Sequence, residues 1–400
     1  MSVDYDLVVI GMSAYAQKLV SLAAQHKARV AWIWEHQVND AYLNIAQIGH
    51  ILHLLKNKIV DRPKSERSQL FATQISSIRD SFCQEEIFEI MQKNGVDIIV
   101  GACKFQGKVQ KSHILEVSEN TLSNRSRAFS QRSLSSRAYA IAHDNPPPLR
   151  KIFGLAEHNY LTANQLLNLE YLPKSIAVLG DDPHACAIAQ AINFLGVHTS
   201  LITDRNHILP NVDVAIARTL QAQLEAEGIA VYTNTQTTAV SQIEHGRTRI
   251  WLDNQTIDCD RILIPLAPQE FYFPSDRNIH QCRDDQDIAK IMRQTFKTDL
   301  WRSASIPKSP TIVNVLTTPP VAQIGMTELS AKQKYGQALY IWESSTENCL
   351  CKIICDRKGQ ILGASMVGDR AKLVISAVAI AMQGKVKIQD IAVLQDLKSF

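Results

Sequence analysis

Residues 5–16 read Y-D-L-V-V-I-G-M-S-A-Y-A, and this stretch decides the fold. Tyr5 to Ile10 reads as a strand, its last four residues an apolar run such as a buried strand requires. Gly11 follows at once. Ala14 to His26 then carries a helical apolar period, and Ala31 to Trp34 is a second strand that ends at Glu35. The pattern restarts at Ser175. Ser175 to Leu179 reads as a strand, Gly180 as a turn, Asp182 to Leu195 as a helix and Thr199 to Thr203 as a strand. Two strand-turn-helix-strand units predict an α/β chain with two parallel sheets.

A turn that binds a dinucleotide needs glycine for its bend, for backbone approach to pyrophosphate and for helix–strand packing. The first unit offers Gly11, Ser13 and Ala16, with Glu35 placed for an adenosine ribose. The second offers Gly180, Asp182 and Ala185 in G-D-D-P-H-A. There Asp181 and Asp182 set carboxylates where a pyrophosphate would lie, and like charges held close oppose one another. Pro183 removes an amide donor near the helix start. Thr203 takes the place of the usual ribose-binding acid, with Asp204 beside it.

Four hundred residues suffice for two or three domains, and 46% apolar with 20% charged residues is ordinary for a soluble protein. A net charge of +3 gives no argument for nucleic acid. The longest apolar run, Leu373 to Met382, is about half the ~18–20 residues that span a bilayer. Met1 to Asp6 leads straight into a strand, so no signal peptide and a cytoplasmic location are expected. Cys83, Cys103, Cys186, Cys259, Cys282, Cys349, Cys351 and Cys355 form no C-x-x-C pair and read as small buried hydrophobes. His50 and His53 lie one turn apart on a helix expected over Asn44 to Lys56, an incomplete set for a metal. Val96 to Val100 reads as a short strand. The arginine- and serine-rich stretch Ser123 to Arg137 reads as a solvated hairpin or loop.

Residues 42–51, Y-L-N-I-A-Q-I-G-H-I, follow the first unit. Their frame resembles the C-L-N-x-G-C-x-P-S-K segment of the pyridine nucleotide-disulfide oxidoreductases, the family of dihydrolipoamide dehydrogenase, glutathione reductase and mercuric reductase. Other segments resemble the same family in the same order. Ala142-His143-Asp144 falls at its A-T-G, and Gly154-Leu155 with Tyr160-Leu161-Thr162 at its inter-domain joint. Asn278-Ile279 with Arg283-Asp284 falls at N-I-Y-A-x-G-D. Thr317, Pro319, Ala322 and Gly325-Met326-Thr327-Glu328 resemble T-x-P-x-x-A-x-x-G-L-T-E, and Ile361-Leu362-Gly363-Ala364 resembles the I-L-G-A of its dimerisation domain.

The resemblance implies two Rossmann-like FAD- and NAD(P)-binding domains plus an α+β dimerisation domain. The implied boundaries are 1–150 with 258–300 for the FAD-like part, 151–257 for the NAD(P)-like part and 305–400 for the dimerisation part. The departures concern chemistry. Tyr42 and Gln47 stand at the redox-cysteine positions, Ile51 at the flavin-facing lysine, and no histidine follows His280. Thiol–disulfide exchange needs a thiolate, which a phenol and an amide cannot supply. No catalytic residues are therefore expected, and the implied function is a catalytically inactive dimeric binding or regulatory homologue. The alternative is an FAD-dependent NAD(P)H oxidoreductase acting on a quinone or metal.

Gly11, Ser13, Ala16, Glu35, His143 and Asp284 are the residues implied for FAD, weakly held or lost. Gly180, Asp182 and Ala185 mark a second site from which NAD(P) is expected to be absent. The implied partner is a second copy through 305–400, or another, unknown protein.

Overall fold

A computed structural model describes residues 3–34, 45–59, 61–63, 66–67, 70–71, 74–75, 84–109, 112–120, 129–143, 152–155, 160–265, 276–296, 312–346 and 349–390. Glu35, Tyr42, Cys83 and Asp144 lie outside these residues, and Gln47 is described only in its helical backbone. The chain divides into two compact units. The first comprises Met1–Asn44, Asp80–Pro148 and Pro268–Lys308. The second comprises Ile45–Arg79, Leu149–Ala267 and Ser309–Phe400.

In the first unit β1 (Tyr5–Ile10) pairs in parallel with β2 (Val30–Trp34) on one side and β5 (Phe129–Ile141) on the other. β2 continues to β3 (Val96–Val109), and β5 to β13 (Ile279–Gln281), both in parallel. β3, β4 (Ser112–Asn120) and β5 also form an antiparallel meander. Alternation along β1 explains its unbroken apolar run. Leu7 and Val9 face α1 (Ala14–Gln25) and the helix Asp285–Thr295. Val8 and Ile10 face Leu115, Val117, Leu134 and Tyr139. A strand buried on both faces has no room for polar residues.

Here the structure extends the sequence reading. The short strand expected at Val96–Val100 runs on to Val109, because its second half pairs with β4. Of Ser123 to Arg137, the part from Phe129 onward is the return strand of the β4–β5 hairpin, and residues 121–128 lie outside the described residues. Its arginines are engaged locally: Arg132 lies 2.7 Å from Asp97 and Arg137 3.3 Å from Asp6.

The second unit holds a parallel sheet in the order β12 (Arg261–Leu263), β6 (Ser175–Leu179), β7 (His198–Ile202), β8 (Ala230–Tyr232). The helix Pro183–Phe194 follows β6, and the helix Val214–Ala226 precedes β8. Three antiparallel strands, β9 (Thr237–Gln242), β10 (Thr248–Leu252) and β11 (Thr256–Cys259), bring the chain back to β12. The C-terminal part is an antiparallel sheet in the order β14 (Val313–Val315), β15 (Val321–Gly325), β18 (Ile361–Val367), β17 (Cys349–Asp356), β16 (Leu339–Thr346). The helices Glu328–Tyr335 and Ala371–Gln383 accompany it.

Two pieces depart from the implied boundaries. Residues 258–265 were placed with the first unit, yet Arg261–Leu263 extends the second unit's sheet by pairing with β6. The helix Ile45–Ile59, placed in 1–150, groups with the second unit and packs on Pro183–Phe194.

A buried ionic node ties the second parallel sheet to the C-terminal one. The Lys352 ammonium lies 3.2 Å from Asp213 and 2.8 Å from Glu328. Asp213 caps the helix Val214–Ala226 through the amide of Ala215 at 3.3 Å, and its second oxygen accepts the Glu328 amide at 2.9 Å. One carboxylate thus serves two helix starts and a cation. Burial works against charge on Lys352, but Glu328 and Asp213 outweigh it and raise its pKa.

Candidate nucleotide sites

The first glycine turn sits between the carboxyl ends of β1 and β5. Gly11 has φ of +113°, and a Cβ there would lie 2.5 Å from the Ala142 carbonyl oxygen. Packing therefore demands this glycine before any ligand does. Its amide donates to Ile33 O at 3.1 Å, and its carbonyl accepts the Trp32 indole N–H at 2.8 Å. Ser13 is buried and caps the helix, its hydroxyl accepting from the Ala16 amide at 3.1 Å. The Ser13 amide donates to Ala142 O at 3.2 Å. Gly11, Ser13, Ala16 and His143 are thus brought together at one strand end. His143 is half-buried, and burial pushes its pKa down to about 4, so the ring is neutral near pH 7.

Asp284, implied as a flavin contact, is the N-cap of the helix Asp285–Thr295 and accepts the Asp287 amide at 2.8 Å. The D-D-Q-D run before an apolar period is itself a capping signal. Arg283 donates its amide to Asp287 at 3.0 Å. The sequence reading passed over the W-I-W of β2. Trp34 precedes Glu35 and is buried edge-on against Phe88 at 4.7 Å, and its indole N–H has no hydrogen-bond partner among the described residues.

The second turn is built differently. Gly180 has φ of +154°, and a Cβ there would come no closer than 3.1 Å, to the Cβ of Ala185. Asp182 caps the helix with one carboxylate oxygen, which accepts from His184 N at 2.7 Å and Ala185 N at 3.1 Å. Pro183 fills the first helical position. Thr203, at the ribose-acid position, donates its hydroxyl to Asp181 at 2.8 Å. Burial raises the Asp181 pKa, the Thr203 hydrogen bond working against it.

No group of three His, Cys, Asp or Glu suited to a metal occurs among the described residues. Ile51 is buried in its helix. His50 is exposed, and burial lowers the pKa of half-buried His53. Cys186, Cys259, Cys282, Cys351 and Cys355 are buried thiols, and Cys103 and Cys349 are half-buried. No described helix is long and apolar enough to cross a membrane.

Known proteins match this arrangement. Residues 5–266 match the pyridine nucleotide-disulphide oxidoreductase family, and 311–394 its dimerisation domain. A mercuric reductase of Staphylococcus aureus is 21% identical over 97% of this chain and 79% of its own length. A glutathione reductase of Nostoc sp. is 23% identical over 96% and 94%. In structure the chain is similar to a copper(II) complex of a serine-for-cysteine variant of RclA, an HOCl-induced flavoprotein disulfide reductase of Escherichia coli. The TM-score is 0.75 at 17% identity, covering 100% of this chain and 99% of that one. The fold is α/β, with FAD- and NAD(P)-binding-type Rossmann domains and a dimerisation domain.

Proposed function

Because this chain belongs to the pyridine nucleotide-disulphide oxidoreductase family, we propose that it is a member retired from dithiol chemistry, a dimeric binding or regulatory scaffold. One observation carries the reading: the first cysteine in the sequence is Cys83, so the 42–51 segment has no sulfur. Without a thiolate there is no route from a flavin to a disulfide. Pure protein with NADH or NADPH is expected to turn over lipoamide, glutathione disulfide and thioredoxin at background rates. Turnover well above background would end the proposal.

The first turn fits the adenosine-diphosphate end of FAD in part. Gly11 keeps the bend, and the helix start at Ala14 supplies amides and a positive end. The unmet Trp34 N–H is a donor that a ligand atom could satisfy. A bound flavin would supply hydride and electron transfer. Against this, the Ser13 amide and hydroxyl are already bonded within the protein, and His143 brings a side chain to the same strand end. Losing a few contacts at ~1–2 kcal/mol each weakens affinity by orders of magnitude, so FAD is held weakly or lost. A colourless purified protein is expected; stoichiometric flavin released on heating overturns this point. The alternative, an FAD-dependent oxidoreductase acting on a metal, draws on the mercuric reductases and the copper complex among the similar proteins. It predicts a yellow protein that oxidises NAD(P)H when Hg(II) or Cu(II) is added.

The dimer is proposed to form through residues 305–400. Along the helix Ala371–Gln383, Leu373 and Ile380 are 71% and 72% exposed, and Ala377 is exposed between them. They lie at i, i+4 and i+7, an apolar stripe in need of cover. Light scattering is expected to give a dimer, and Ile380→Glu a monomer near 45 kDa. A monomer for the unmutated chain would redirect the stripe to a different protein. The buried thiols Cys186, Cys259, Cys282, Cys351 and Cys355 suit a reducing, cytoplasmic setting.

A further inference from the structure

We propose that the second β-turn-α unit is held shut by its own carboxylates, Asp182 standing in for a dinucleotide phosphate at the helix start and Asp181 tying down the loop after β7. This deepens the reading above and rests on it. A helix start attracts anions because its first amides lack intrahelical acceptors and its dipole is positive. Here one Asp182 oxygen takes the amides of both His184 and Ala185, at 2.7 and 3.1 Å. Pro183 brings no amide to the same turn. The anion position is thus filled covalently, at an effective concentration no free nucleotide matches.

Asp181 ties the turn to the loop after β7. Its carboxylate accepts the Thr203 hydroxyl at 2.8 Å, and its carbonyl accepts the Leu209 amide at 2.7 Å. Thr203 also accepts the Arg205 amide at 3.1 Å. Residues 203–209, the segment after β7, are so drawn onto the turn rather than left open for a ribose. An incoming diphosphate would meet two carboxylates in this partly buried setting, where like-charge repulsion exceeds its value in water.

The experiment is a titration of the full-length protein with NADH and with ADP-ribose, followed by calorimetry and by nicotinamide fluorescence. The unmutated protein is expected to show no saturation below about 1 mM. The double variant Asp181→Gly with Asp182→Gly is expected to bind both probes at least tenfold more tightly, since glycine at an N-cap costs the helix little. Should that variant not fold, Asp182→Ser keeps a neutral cap and is expected to show the same gain in smaller measure. Saturation of the unmutated protein at submillimolar NADH, or no gain in a folded variant, overturns the proposal. The flavin spectrum of the same samples reads the first turn separately, so a failure there is not mistaken for one here.

Discussion

The two glycine turns share a pattern and differ in what enforces it. At the first, the glycine is demanded by the protein itself, a Cβ at Gly11 falling 2.5 Å from the Ala142 carbonyl. At the second, a Cβ on Gly180 would press on the Cβ of Ala185 at 3.1 Å, a milder overlap that a small shift relieves, and the backbone angle adds to the demand for glycine. The caps invert this order. Ser13 is neutral, whereas Asp182 brings a full charge to the helix start. A turn glycine is therefore no proof of nucleotide binding, and the residue two places on says more.

Substituting the glycines gives the largest contrast. Gly11→Ala is expected to cost roughly 2–4 kcal/mol through backbone strain and overlap, and Gly180→Ala roughly 1 kcal/mol. Urea unfolding of the two variants checks this, and equal losses would break the comparison.

The next contrast is in pH. The folded pKa of His143 is about 4 against an ordinary 6.5, so the unfolded chain takes up a proton that the folded chain refuses. Stability from His143 is complete above pH 6.5, falls as pH drops towards 4 and is flat below, a span of roughly 1–3 kcal/mol. Asp181 runs the other way. Its folded pKa is raised, so its contribution is present below 3.8 and lost as pH rises through the folded value. Denaturation midpoints measured from pH 4 to 7 are expected to flatten in His143→Gln, while Asp181→Asn gains stability at neutral pH.

The smallest contrast is in the caps. Ser13→Ala and Asp182→Ala are each expected to cost about 1 kcal/mol, with the Asp182 loss alone shrinking in high salt. Equal salt responses would say that the charge on Asp182 is not felt by the helix.

The strand-turn-helix starts at Tyr5 and Ser175 were legible because strands buried on both faces are short and carry unbroken apolar runs, here Leu7 to Ile10 and Ile176 to Leu179. The C-terminal sheet was legible only through the resemblance of Gly325-Met326-Thr327-Glu328 and Ile361-Leu362-Gly363-Ala364 to a dimerisation domain. The second half of β3 and the polar half of β5 were not. Lys104 and Gln106 alternate along β3 with Cys103 and Phe105, and a half-exposed meander strand of that kind reads as loop until its partner is known. The role of Asp284 as a helix cap was in the sequence, masked by a family motif that suggested a cofactor contact. The allegiance of Arg261–Leu263 depends on which sheet edge is open, which no local pattern records. The Asp213–Lys352 pair joins residues 139 apart, and no local pattern links them.

That pair has a consequence for how the molecule comes apart. The Asp213 carboxylate anchors the starts of Val214–Ala226 and Glu328–Tyr335 together, so fraying of either first turn takes one carboxylate away from a buried ammonium. Amide hydrogens of both helices should then exchange with deuterium in one concerted opening rather than in two. In Lys352→Met, a lysine lost among carboxylates costs roughly 3–5 kcal/mol, and the same amides should exchange earlier, still in step.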